Sequence, residues 1–204
     1  MHLTRLTLDP RSAQARRDLG NAYEMHRTLA RAFVADAQSP PARFLWRVEA
    51  GSNAWAMPVV LVQAATVGDW SALQAMPNYL QRPVESKRLN LEQWVEGGAC
   101  YRFRLQANPT VTRLGKRYGL VGEDEQLAWL NRQGERHGFE VKAALVTASD
   151  VLASRKGDSR ISVQRVCFEG RLQVCELAAF SRAMTLGLGP AKAFGCGLLS
   201  IARA

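Results

Sequence analysis

The sequence predicts an α+β protein made of two successive βαββαβ units, and three observations carry that prediction. Stretches in which apolar and polar residues alternate, as in strands, are interleaved with stretches of helical period. Much the same order of elements runs through the chain twice. Between the two runs lies a polar, proline-interrupted stretch from Pro77 to Gly98. With 204 residues, 47% of them hydrophobic, the chain can bury one ordinary core or two small ones.

The first unit opens with a strand from His2 to Leu8, in which Thr4, Leu6 and Leu8 alternate against Leu3, Arg5 and Thr7, closed by Asp9-Pro10. One long helix is expected next, from an N-cap at Ser12 to about Asp36. Along it Ala22, Met25, Leu29, Ala32 and Phe33 recur at three- and four-residue spacing, until Pro40-Pro41 bars continuation. Two strand-like runs, ARFLWRVEA and PVVLVQAAT, are joined by a hairpin loop at Gly51-Ser52-Asn53. A short amphipathic piece, DWSALQAM, leads to the polar stretch, which reads as a linker. This divides the chain into domains 1–80 and 98–204 joined by residues 81–97. The second unit starts with the strand GACYRFRLQA, followed by KRYGLV as a short strand or loop. A helix with an acidic first turn at Glu123 to Glu125 comes next. Strand runs FEVKAALVT and ISVQRVCFEGRLQVC flank the polar turn SRKGDSR. A last helix, LAAFSRAM, precedes GLGPAKAFGCG and a final strand, LLSIA. The element order resembles two ferredoxin-like domains in tandem, without internal sequence identity.

Charge narrows the partners. Lys and Arg number 27 against 18 Asp and Glu, and 22 of those cations are Arg. Either the surface is simply basic, or it receives a polyanion; guanidinium favours the latter because it forks onto phosphate. The four cysteines show no CxxC spacing and no histidine at zinc-site spacing, so they are expected to be small buried hydrophobes. The opening MHLTRLTLDP is too polar for a signal peptide, and no 18-residue apolar run occurs, so a cytoplasmic protein with no membrane partner is expected.

Of the three histidines, His26 has the most informative position. With about 100° per residue and Tyr23 at zero, Ala22, Met25, Leu29, Ala32 and Phe33 fill an arc from about 180° to 280°. Tyr23, His26, Arg27, Ala30 and Val34 lie on the adjoining flank, with Arg31 one step further round. Such a cluster suits RNA cleavage by its own 2′-OH. That reaction needs one proton taken, one given, and positive charge beside the transition state. Equally, spacing alone fits a half-exposed helix histidine and a packing tyrosine.

Other cationic positions carry paired readings. Gly187, Gly189, Gly195 and Gly197 around Lys192 form either a phosphate-approaching loop or a tight turn; no P-loop or dinucleotide fingerprint is present. Arg155, Lys156 and Arg160 sit in a solvated turn or an RNA-gripping one, and Lys116-Arg117 and the strand-face pair Arg102 and Arg104 share that ambiguity. No carboxylate pairs have a spacing suited to metal-ion catalysis, and no metal or other cofactor is expected.

MHLTRLTLDP, RRDLGNAYEMHRTLARAF, YRFRLQANPT with GKRYGL, EQLAWLNRQ, VQRVCFEGRLQV and GLGPAKAFGCGLLSIA occur in an order that resembles one family, the CRISPR RNA-processing endoribonucleases of type I-E systems. Members are subunits of the Cascade surveillance complex. The resemblance implies two ferredoxin-like domains, a partnership with other Cascade subunits, and a metal-independent cut at the 3′ base of a CRISPR repeat RNA hairpin. It further implies that the products are a 5′-hydroxyl and a 2′,3′-cyclic phosphate and that the processed hairpin stays bound. It matches His26 to the catalytic histidine, Tyr23 to its companion and Arg27 to a basic neighbour; Arg31 stands where relatives carry Lys. The turn around Arg155 to Arg160 aligns with a hairpin that enters the RNA groove. The competing readings are a non-catalytic RNA-binding subunit of the same kind of complex and a sheet-face single-strand binder; the latter lacks its glycine-aromatic signature.

Overall fold

The structure is a computed structural model describing residues 1–34, 40–49, 51, 56–156 and 159–203, the side chains of 154–156 and 159–160 excepted. It divides into two compact units, Met1–Leu89 with Ala193–Gly195, and Asn90–Lys192 with Cys196–Ala204.

In the first unit, β1 (His2–Thr7), β2 (Phe44–Glu49), β3 (Val59–Ala64) and β4 (Glu85–Arg88) form an antiparallel sheet in the order β2-β3-β1-β4. Between β1 and β2 run α1 (Ala13–Gly20) and α2 (Ala22–Ala30), continued by a 3-10 turn, Arg31–Phe33. A single helical turn, α3 (Ser71–Gln74), separates β3 from β4. Leu6, Val60 and Val62 of the sheet are buried, as are Ala15, Met25 and Leu29 of the helices. The expected Gly51-Ser52-Asn53 loop falls largely outside the described residues, but β2 and β3 pair antiparallel on either side of it, Glu49 opposite Val59.

Two expectations are corrected here. The long helix is two helices. Asn21 leaves helical geometry at φ −140°, and its side chain accepts a hydrogen bond from the Tyr23 N–H at 3.0 Å, capping α2. Gly20 is a poor helix former and Asn a strong N-cap, so one helix ends and another starts without disturbing the apolar period. The stretch read as a linker also contains structure. Residues 85–88 are β4, which pairs with the open edge of β1, and α4 (Leu91–Trp94) follows. Backbone pairing is indifferent to side-chain polarity, and all four residues of β4 are exposed. Lys87 and Arg88 give this edge the charge that discourages further strand addition.

The second unit repeats the order. β5 (Cys100–Ala107), α5 (Glu123–His137), β8 (Phe139–Lys156), β9 (Ser159–Val174), α6 (Leu177–Leu186) and β10 (Leu199–Arg203) form the six elements. Their sheet runs β10-β5-β9-β8. In each sheet the fourth strand lies beside the first, the third next and the second at the far edge, the ferredoxin-like arrangement. A hairpin, β6 (Thr110–Arg113) and β7 (Lys116–Gly119), is inserted after β5. Phe168 stacks on Trp129 at 6.3 Å, and Phe139 meets Phe180 edge-on at 5.8 Å. β8 bulges between Val141 and Ala143, and a Cβ at residue 170 would overlap the Ala143 carbonyl, which explains Gly170 opposite the irregularity. Of the cysteines only Cys196 is buried; Cys100 and Cys175 are exposed and Cys167 is intermediate, contrary to expectation. They fall on the polar face or at the ends of strands, where a small side chain is tolerated without burial. Among the described residues no helix is long and apolar enough to cross a membrane.

Candidate active site on the second helix

The new start at Asn21 sets the register of α2. Ala22, Met25 and Leu29 are buried, as their spacing demands, and Thr28 joins them. Tyr23, His26 and Ala30 are half-buried, and Arg27 is exposed. Just before α2, the helix α1 carries a buried carboxylate, Asp18. It accepts hydrogen bonds from Gln14 Nε2 at 2.8 Å and from the Tyr79 hydroxyl at 2.9 Å. Burial and the Asp18 charge push the Tyr79 phenol far above its ordinary range, so it stays protonated as the donor.

The His26 imidazole stacks on Phe44 of β2 with centroids 4.9 Å apart and planes 18° from parallel. Phe44 in turn stacks on Phe33 at 4.8 Å, and Phe33 meets the Trp70 ring edge-on at 5.6 Å. One face of the imidazole is thus fixed against an aromatic column rooted in the core. Nδ1 is buried without a hydrogen-bond partner among the described residues. Burial lowers the His26 pKa from its ordinary 6.5, because an apolar sleeve penalises the cation. The resting ring is therefore neutral at pH 7, and an arriving phosphate would pull its pKa back up.

This yields a measurable expectation. In the RNA-free protein, NMR titration of His26 should give a midpoint below 6.5. The folded state binds the proton less readily than the unfolded chain. The stabilising contribution is therefore full above the unfolded value and is lost as pH falls from about 6.5 through the folded pKa. His137, also lowered, adds with the same sign. His26→Gln should flatten part of that acid loss in a melting series, and an His26 midpoint at or above 6.5 would contradict the burial argument.

Around the imidazole the charges are arranged in pairs. The Arg27 guanidinium lies 6.0 Å from the Tyr23 ring centroid and donates to Glu24 Oε1 at 3.1 Å. Arg17 reaches the other oxygen of Glu24 at 3.3 Å. An exposed i,i+3 pair is worth only about 0.3–0.5 kcal/mol, so a phosphate can take Arg27 from Glu24 at little cost. Arg31 is exposed on the 3-10 turn, and its charge acts on Tyr79. Among the described residues no group of three or more His, Cys, Asp or Glu is placed to hold a metal ion.

The remaining sequence candidates, Arg102, Arg104, Lys116, Arg117, Arg155, Lys156, Arg160 and Lys192, belong to the second unit. Arg102 is exposed on β5, while Arg104 donates from Nε to Glu169 at 3.0 Å. Lys116 and Arg117 are exposed on β7. The Lys192 ammonium donates to the Gly189 carbonyl at 2.5 Å. Gly189 has φ 71°, and a Cβ there would come within 2.9 Å of the Trp129 ring, so this glycine serves a tight turn against the core. For Arg155, Lys156 and Arg160 the backbone pairing is described, with Arg155 opposite Arg160, but their side chains lie outside the described residues. Sequence reasoning missed Asp18, Tyr79, Glu24 and Arg17. Only Glu24, three residues before Arg27, left a readable signal.

An imidazole on one helix with a phenol and a guanidinium, in a ferredoxin-like unit of a strongly basic chain, supplies groups of the kind that acid–base chemistry uses. Residues 1–203 match the family model described as CRISPR associated protein. The chain is 38% identical to the CRISPR-associated endoribonuclease Cse3 of Thermus thermophilus, over 99% of this chain and 100% of that protein. It is 34% identical to the CRISPR system Cascade subunit CasE of Escherichia coli, over 57% of this chain and 64% of that one. Its fold superposes on a structure of Cse3 bound to 19 nt RNA with a TM-score of 0.89, at 38% identity and full coverage of both chains. The chain belongs to the family of CRISPR-associated endoribonucleases of type I-E systems.

Proposed function

We propose that the protein cuts the repeat hairpin of precursor CRISPR RNA by internal 2′-OH attack and keeps the processed RNA within a Cascade complex in the cytoplasm. The carrying observation is the His26 ring, held neutral against Phe44 on the same helix edge as Tyr23 and Arg27. The O2′–P bond forms as the P–O5′ bond breaks, leaving a 2′,3′-cyclic phosphate and a 5′-hydroxyl. One proton leaves O2′ and one reaches O5′; neutral imidazole can accept the first, and its protonated form can deliver the second. Tyr23 orients the nucleophile or shares the transfer. Arg27, released from Glu24, and Arg31 offset the charge that gathers on the equatorial oxygens. The nucleophile is part of the substrate, so no water needs activation and no metal is required for that purpose.

Arg102, Lys116, Arg117, Arg155, Lys156, Arg160 and Lys192 are proposed to contact the hairpin, mainly its phosphates, since RNA stems are read through shape and backbone. Arg104 contributes less, being paired with Glu169. The relatives' names support the reading: one is an endoribonuclease, another a Cascade subunit, and the superposed structure holds RNA. A labelled repeat hairpin in EDTA tests it. One cut at the base of the stem, with a cyclic phosphate on the 5′ fragment, is the expected result. Tight binding without cleavage in EDTA or in Mg²⁺ would leave a non-catalytic RNA-binding subunit in its place.

A further inference from the structure

On the open face of the second sheet, Arg102 of β5 and Arg171 of β9 are direct partners across the antiparallel ladder. In the same row, Ala202 of β10 stands beside Arg102 and Ala143 of β8 beside Arg171. Two guanidiniums thus face each other with a methyl on either side and no carboxylate in the row. The neighbouring cations of the sheet are otherwise arranged. Arg104 pairs with Glu169 at 3.0 Å, Lys142 with Glu140 at 2.6 Å, and Arg165 with Asp150 at 2.6 Å. Arg171 has no hydrogen-bond or ion-pair partner among the described residues, and Arg102 has only a long contact from Nε to the Arg203 carbonyl, at 3.4 Å. Both side chains are exposed.

Like charges directly opposite on adjacent strands destabilise a sheet, so such a pair weakens the unliganded fold unless an anion relieves it. A phosphate does so well, because each guanidinium forks onto its oxygens. The same face shows what kind of phosphate ligand fits. Its residues on β5 are Cys100, Arg102, Arg104 and Gln106, and opposite them on β9 stand Gln173, Arg171, Glu169 and Cys167. None is aromatic; Tyr101, Phe103 and Phe168 point to the buried side. The face offers unpaired bases no aromatic ring to stack on, which favours a sugar–phosphate backbone as its ligand.

We propose that Arg102 and Arg171 form a phosphate clamp for the backbone of base-paired RNA, a contact that adds Arg171 to the interface and leaves out the neutralised Arg104. The clamp rests on the reading of this protein as an RNA-binding one, but not on its being a nuclease. The test is a salt titration of binding to two RNAs, the repeat hairpin and an unrelated duplex, with Arg102→Ala/Arg171→Ala compared with wild type and with Arg104→Ala. Each lost phosphate contact should flatten the log Kd against log[salt] slope by about 0.7–0.9. The double variant, which loses one clamped phosphate, should therefore lose about 0.7–0.9 from the slope on both RNAs, and Arg104→Ala far less. A melting temperature no lower than wild type shows that the double variant is folded, as removal of a repulsive pair predicts. An unchanged slope on both RNAs, or an equal loss in Arg104→Ala, overturns the clamp. Failure of the wild type to cut the hairpin, alongside the expected change in slope, would instead overturn the nuclease reading and leave the clamp supported.

Discussion

Replacing His26 by alanine is expected to slow single-turnover cleavage of the repeat hairpin by about 10²–10⁴-fold, the range that a positioned proton-transfer group supplies. Hairpin affinity should stay near wild type. The imidazole offers a neutral, half-buried edge to the RNA, while the positive charge that holds phosphates resides on other side chains. Folding should survive as well: without the imidazole, Phe44 still stacks on Phe33. The split between lost rate and kept affinity is what separates proton transfer from binding. Phe44→Leu should give a weaker version of the same split, because the imidazole loses its aromatic seat without leaving the site. A rate loss below about tenfold for His26→Ala would remove His26 from the chemistry and move the search to Tyr23.

How much of this was legible in the sequence depends on whether the signal was periodic. The face of α2 was readable because Met25, Leu29 and Phe33 had to share a stripe, which left Tyr23, His26 and Arg27 on its flank. The break before α2 was not read, because Ala22 continues the apolar period across Asn21; the cue was the Gly20-Asn21 pair, a helix stop beside a cap. β4 was invisible because its four exposed residues show no alternation, and its place comes from the unpaired edge of β1. The strand-like run around Phe44 was readable, but not that this ring would stack on His26. Opposed arginines likewise need register: Arg102 and Arg171 are far apart in sequence, and only the pairing of β5 with β9 brings them into one row.

Asp18→Ala should produce the largest loss of stability among single substitutions around the site. Mid-helix aspartate ordinarily reads as a solvated residue, yet this one is 1% exposed and its partner Tyr79 is fully buried. Removing the carboxylate strands the Tyr79 hydroxyl and the Gln14 amide it bonded, and each buried donor left without an acceptor costs about 1–3 kcal/mol. For a unit of this size the melting temperature should fall by more than about 10 °C. Tyr79→Phe should cost less, about 1–2 kcal/mol, because Asp18 keeps Gln14 and lies 3.7 Å from Arg17 Nε. In the double variant the second substitution should add little, since the hydroxyl no longer needs an acceptor. The junction before α2 is bridged by the Asp18 backbone carbonyl, which accepts the Asn21 N–H at 3.3 Å and is kept in Asp18→Ala. Well below its melting temperature, Asp18→Ala should therefore cut far faster than His26→Ala, losing stability without losing the proton-transfer group. A melting curve within a degree or two of wild type would mean that water or a neighbouring side chain satisfies Tyr79, and that the buried carboxylate adds little to the stability of this unit.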